Sequence, residues 1–167
     1  MRNDYRVQAP EPIKRTVQKV AASDGFARFA PTVIPPLDRA VSKLTRGRVM
    51  LSQWMVPPIV LTTTGARSGE PRRTPLATIP LDGDLYVVAS NFGNERHPAW
   101  SYNLIAHPEA TVTMHGSDRR VRTTLLSAEE KEAAWPRMVE VWPPYDRYVE
   151  RSGRDLRVFR LETIDPE

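Results

Sequence analysis

A chain of 167 residues, 40% of them apolar and 26% charged, is long enough to bury one hydrophobic core and short for two domains. It has no cysteine, which excludes disulfides and thiolate metal sites and fits a reducing cytoplasm, and His97, His107 and His115 show no metal-ligand spacing. The net charge of +4 is uneven: residues 1–50 carry 10 Lys and Arg against 4 Asp and Glu, the remainder 14 against 16, unlike the basic stripe with interleaved aromatics that a nucleic-acid face requires.

The first residues, MRNDYRVQAPEPIKRTVQ, hold no apolar signal core, and the most apolar run, WMVPPIVL, is too short to cross a bilayer. Ile13, Val17 and Val20 recur at i, i+4 and i+7, as do Leu37, Val41 and Leu44 before Gly47. Residues 1–50 therefore read as a basic N-terminal arm with two short amphipathic helices. These either pack on the core with a solvated basic face or touch an anionic membrane surface.

From residue 51 the pattern is mainly β. VPPIVLTTT, RTPLATIPL and LYVVASN read as strands, the last two joined by a tight turn at Asp82-Gly83-Asp84. HPAWSYNLIAHP predicts a short helix with Pro98 in its first turn and a stop before Pro108. EATVTMHG and RRVRTTLLS form a second hairpin about Gly116-Ser117-Asp118, and SAEEKEAAWPRMV a helix with Ser127 and Glu130 at capping-box spacing. PPYDRYVERSG predicts a last helix and DLRVFRLE a closing strand. Six short, mostly antiparallel strands with helices inserted predict an α+β fold, mainly β, whose sheet curls into a small closed or half-closed barrel over residues 51–167.

Three stretches carry chemistry. TTTGARSGEPRRTPL gathers Gly65, Arg67, Ser68, Gly69, Arg72 and Arg73 in a loop between two strands, where free backbone N–H groups, a hydroxyl and guanidiniums suit phosphate oxygens. It lacks the GxxxxGK[ST] spacing of a Walker loop. VVASNFGNERHPAW runs from a strand straight through Ser90, Asn91 and Gly93 into a helix N-terminus, which favours anions or electron-rich carbonyls, with Trp100 in the first turn. In VWPPYDRY, Trp142, Tyr145 and Tyr148 fall at i, i+3 and i+6 and present one aromatic helix face, either core or pocket wall.

Together TTTGARSGEPRRTPL, VVASNFGNERHPAWSYNL and WPPYDRY resemble the deazaflavin (coenzyme F420)-dependent nitroreductase family, over roughly Leu37 to the end. The resemblance implies an FMN-binding-like split β-barrel over 51–167 that binds F420. It places Arg67, Ser68 and Arg72 at the coenzyme's phosphate and acidic tail, and Thr74, Pro75 and Leu76 along its ribityl chain and ring. Val88, Ala89, Ser90 and Asn91 correspond to the strand end beside the deazaflavin, and Ala99, Trp100 and Asn103 to the short helix that closes over it. Tyr145 and Tyr148 match tyrosines lining the acceptor pocket. Trp142 stands where a well-studied prodrug-activating member has tyrosine, so nitroimidazole reduction does not carry over.

A reduced 5-deazaflavin gives up two electrons as a hydride, so the expected activity is F420H2-dependent reduction of a quinone, enoate or nitroaromatic, with Ser90 and Tyr148 as proton donors. Quinones are the acceptor the resemblance favours. The basic arm would then bring a cytoplasmic enzyme to the inner face of a membrane. Two other readings stay open: an FMN-binding split-barrel oxidoreductase, as in pyridoxamine phosphate oxidase relatives, and a non-catalytic deazaflavin carrier or sensor.

Overall fold

The computed structural model describes residues 58–164 together with isolated positions between residues 12 and 25. Pro12, Arg15, Thr16, Lys19 and Val20 have helical backbone and are exposed, and the remaining expectations for the 1–50 arm lie outside the described residues. In chain order the elements are β1 (Pro58–Thr64), β2 (Pro71–Ala77), β3 (Ile79–Leu81), β4 (Asp84–Val88), α1 (Ala99–Ala106), β5 (Glu109–Met114), β6 (Ser117–Leu125), α2 (Ala128–Val141), α3 (Pro144–Ser152) and β7 (Val158–Thr163).

The strands form one antiparallel sheet in the order β2-β1-β5-β6-β7-β4-β3. The single strand expected over RTPLATIPL is two, because its first half pairs with β1 and its second with β4, at opposite edges of the sheet. Only Thr78, fully buried, separates β2 from β3. Two edges joined through one residue force the sheet to curl back on itself, which makes a half-barrel of seven strands rather than six. Pro71, Pro75 and Pro80 all lie on these edge strands, where a missing N–H breaks no ladder.

Local turn chemistry sets the hairpins. Asp82 (φ 53°) and Gly83 (φ 92°) take the two left-handed positions of the β3–β4 turn, as expected. The β5–β6 turn sits at His115 (φ 51°) and Gly116 (φ 81°), one residue earlier than expected, so that Ser117 already pairs with Met114. Ser127 and Glu130 close the expected capping box of α2, and Gly153 ends α3 in the left-handed conformation at φ 61°.

Strand alternation divides the apolar residues between two cores. Val87 opposite Phe159 and Leu85 opposite Leu161 face inward with Ile59, Leu61, Val112, Trp100 and Leu104, so α1 plugs the half-barrel. Val88 opposite Val158 faces the other way, where Met138 of α2, Trp142 of the α2–α3 junction, and Tyr145 and Tyr148 of α3 cover the outer surface with Ile79 and Leu81. Truncating a fully buried residue such as Phe159 would cost about 3–5 kcal/mol.

Candidate functional site

The β1–β2 hairpin and the N-terminal half of α1 enclose a groove of about 1280 Å³. The hairpin side contributes Arg67, Ser68, Arg72, Arg73, Thr74 and Pro75, and the helix side Ala99, Trp100, Tyr102 and Asn103. Local geometry holds the hairpin loop shut. The Gly65 N–H donates to the Glu70 carbonyl at 2.9 Å and the Gly69 N–H to the Gly65 carbonyl at 2.8 Å. A β-carbon on Gly65 would stand 2.6 Å from Ser68 Oγ, so glycine lets the serine fold over it and accept from Glu70 N and Arg72 Nη2, each at 3.3 Å.

Asn103 joins the two sides. Buried on α1, it accepts from the Ala66 N–H at 3.0 Å and donates to Thr63 Oγ1 at 2.9 Å. Both halves of its amide are thus engaged by the hairpin, which makes it the clamp between wall and wall. Trp100 fills the groove floor and packs on Phe159 with ring centroids 5.8 Å apart. The result is a trough lined by guanidiniums on the hairpin side and by apolar surface from Trp100, Ala99 and Pro75. Among the described residues no carboxylate pairs with Arg67, Arg72 or Arg73.

The expected site residues divide into four groups. Arg67, Ser68, Arg72, Thr74, Pro75, Ala99, Trp100 and Asn103 meet at the groove with Arg73 of the same arginine-rich stretch, joined by Tyr102, which was not singled out. Leu76 packs against the inner core, Ala89 lies within it and Val88 within the outer one. Trp142, Tyr145 and Tyr148 do come together, but in the outer core, behind β4 as seen from the groove. Burial raises the Tyr145 hydroxyl far above its ordinary range and pushes Tyr148 up to about 12, against the opposing effects of a hydrogen bond with Trp142 and the charge of Arg151.

Ser90 and Asn91 lie in a feature the sequence reading did not foresee. The strand does not run straight into the helix: β4 ends at Val88, and Asn91 (φ 46°), Phe92 (φ 54°) and Gly93 (φ 76°) make a left-handed turn before α1 begins at Ala99. Positive φ is rare for a bulky aromatic residue. Arg154 bonds to carbonyls on both sides of this turn, and Arg151 Nη1 donates to the Phe92 carbonyl at 3.3 Å. Arg157 lies over the Tyr102 ring at 4.4 Å and donates to Ser101 Oγ at 3.3 Å. Arg154 and Arg157 follow the glycine that ends α3, whose left-handed cap reverses the chain, so their direction was not readable from spacing. Among the described residues no His, Asp and Glu cluster could hold a metal ion, and no helix is long and apolar enough to cross a membrane.

Residues 38–163 match the family of F420H(2)-dependent quinone reductases. An F420H(2)-dependent quinone reductase of Mycobacterium tuberculosis is 31% identical over 132 residues, which are 75% of this chain and 87% of that protein. The solved structure of an F420-H2 dependent reductase aligns with a TM-score of 0.57 at 36% identity, covering 64% of this chain and 94% of that one. A solved domain-swapped dimer aligns with a TM-score of 0.59 at 32% identity, covering 76% and 99%. The curled antiparallel sheet and these likenesses bear out the split β-barrel.

Proposed function

This chain belongs to the F420H(2)-dependent quinone reductase family, and on that premise we propose that the groove between the β1–β2 hairpin and α1 holds the reduced deazaflavin while a quinone accepts its electrons. The observation that carries this reading is the groove's mixed lining, in which Arg67, Arg72 and Arg73 meet the apolar surface of Trp100, Ala99 and Pro75. That combination suits a flat heteroaromatic ring attached to an anionic tail. When bound, the coenzyme supplies two electrons as a hydride.

The chain's own residues do the rest. Arg67 and Arg72, with Arg73, would hold the phosphate and acidic tail, and Ser68, which accepts from Arg72, would orient that guanidinium. Thr74 and Pro75 would hold the ribityl chain, while Trp100 and Ala99 would shield the ring from water. Asn103 holds the two walls at a fixed separation. Fluorescence-polarisation titration with deazaflavin and with FMN tests the cofactor: tighter deazaflavin binding is expected, and equal or tighter FMN binding overturns the reading. Oxidation of the reduced coenzyme by a water-soluble quinone tests the reaction, and tight binding without turnover supports the carrier reading instead.

The excess of 10 basic over 4 acidic residues in the first 50 supports peripheral contact with an anionic membrane surface, at about 1 kcal/mol per basic residue near the bilayer. Co-sedimentation with anionic vesicles at low and physiological salt is the measurement. Equal recovery on neutral vesicles would remove this role.

A further inference from the structure

Arg154 follows the glycine that ends α3, and its guanidinium reaches into the bend between β4 and α1. Nε donates to the Asn94 carbonyl at 2.8 Å and Nη2 to the Ser90 carbonyl at 2.8 Å. Nη1 lies 3.4 Å from the Ala89 carbonyl and 2.7 Å from His97 Nδ1. Arginine has no acceptor atom, so the last contact requires a bare Nδ1, and the neutral ring must carry its proton on Nε2.

The segment held in this way is strained and well placed. Asn91 and Phe92 both sit at positive φ, a conformation costing about 1–2 kcal/mol for an ordinary residue, and it persists only where surroundings impose it. Immediately after His97 the chain passes through Pro98 into Ala99 and Trp100, which line the groove. The bend therefore sets the position and angle at which α1 enters the site.

We propose that Arg154 is a positioning residue of the reductase: it ties residues 89–97 to the end of α3 so that α1 presents Ala99 and Trp100 to the groove, and the tie opens when His97 takes a second proton. The first part rests on the reading of that groove as the coenzyme site. Three groups face His97: Arg154 from beyond α3, Arg157 from just before β7, and the Tyr102 ring of α1, set edge-on at 6.2 Å. Its own segment adds Glu95 and Arg96, both exposed. A protonated imidazole would lose the Nδ1 acceptor and meet two guanidiniums. Burial first, then Arg157 and Arg154, hold its pKa below the ordinary value, so the tie is complete above about pH 6.5 and lost as acid is added.

Two measurements test this on the intact chain. Amide hydrogen exchange of the coenzyme-free protein compares protection of residues 89–106 with that of the β5–β6 hairpin, and fluorescence titration gives the coenzyme Kd. Arg154→Lys keeps the charge but cannot fan across four acceptors. It is expected to lower protection of residues 89–106 about tenfold, leave the hairpin unchanged and raise Kd about tenfold. His97→Asn keeps an oxygen acceptor that cannot be protonated, so the loss of protection that wild type shows on acidification below about pH 6.5 should vanish in it.

Unchanged protection in Arg154→Lys overturns the tie, and lowered protection with unchanged Kd overturns positioning. An equal acid response in wild type and His97→Asn overturns the role of His97, and this arm still decides if Arg154→Lys does not fold. Failure of the wild type itself to bind the coenzyme would sink the reading of the groove, while the exchange comparison would still decide whether Arg154 ties the segment.

Discussion

Gly93 lies so close to Tyr148 that a β-carbon on the glycine would stand 3.1 Å from the Tyr148 Cα and 3.3 Å from its Cδ1. Helix α3 thus rests directly on the left-handed turn that follows Ser90. The aromatic face read from the sequence reaches the candidate site through this contact, by supporting the bend from behind.

Gly93→Ala should be costly for two reasons that act together. The φ of 76° disfavours any L side chain, and the new methyl would press on backbone that cannot swing away. A loss of at least about 2 kcal/mol is expected, read as a lower urea midpoint with unchanged slope. An unaltered midpoint would show that α3 is free to shift.

Asn103→Ala removes one bond to the Ala66 N–H and one to Thr63 Oγ1 inside a buried site. The expected loss is about 2–3 kcal/mol of stability together with weaker coenzyme binding, because the walls of the groove are no longer joined. Asn103→Asp keeps the acceptor for Ala66 but not the donor for Thr63, and should fall between wild type and Asn103→Ala. Equal stability of all three proteins would show that the clamp carries no energy.

Arg67→Ala should raise the coenzyme Kd about tenfold or more through loss of a charge-assisted contact. Added salt should weaken wild-type binding more than that of the variant, since part of the attraction is screened. Titration at two ionic strengths separates this from simple loss of structure. The same Kd in both proteins would make the hairpin loop purely structural.

Tyr148→Phe probes the buried aromatic cluster. Removing the hydroxyl leaves the Trp142 indole N–H without its partner at a cost of about 1–3 kcal/mol at neutral pH, while coenzyme affinity should hold. Turnover should fall only a few-fold; a hundredfold fall in an otherwise stable variant would return Tyr148 to the acceptor side.

Alkaline pH tests the same hydroxyl from the other direction. A folded pKa raised from 10.0 to about 12 means that the neutral form is favoured in the fold, so its contribution is fully present below pH 10 and lost as pH rises toward 12. The share of this hydroxyl is about 2–3 kcal/mol, so the loss should be smaller by that amount in the phenylalanine variant, which keeps only the share of Tyr145. Denaturant midpoints measured across that window decide it.

The elements that could be read in advance are those whose cause is local. Asp82 with Gly83 specifies its own turn and Ser127 with Glu130 its own helix start, whereas of the arginines expected in the β1–β2 loop only Arg67 lies at the hairpin tip, Arg72 and Arg73 being paired within β2 opposite Thr63 and Thr62. The split at Thr78 could not be read, because it arises from a change of partner strand rather than from the residue itself. Spacing placed Trp142, Tyr145 and Tyr148 on one face of a helix, but Pro143 and Pro144 start α3 after Trp142, which caps α2 instead, and nothing in spacing says what the aromatics meet. Arg154 was illegible for a similar reason: its contacts span 57 to 65 residues of sequence.

The strand order has a consequence for how the chain assembles during synthesis. β7 comes last of the described strands, yet it lies between β6 and β4. Until it emerges from the ribosome, the ribbon β2-β1-β5-β6 and the pair β4-β3 are connected through Thr78 and leave the facing edges of β6 and β4 unpaired. Such edges are sticky, and a central strand delivered last closes them late, through contacts of long sequence separation. Until then, the gap between β6 and β4 is open to the β7 of a neighbouring nascent chain as well as to its own, and local chain concentration decides which arrives first.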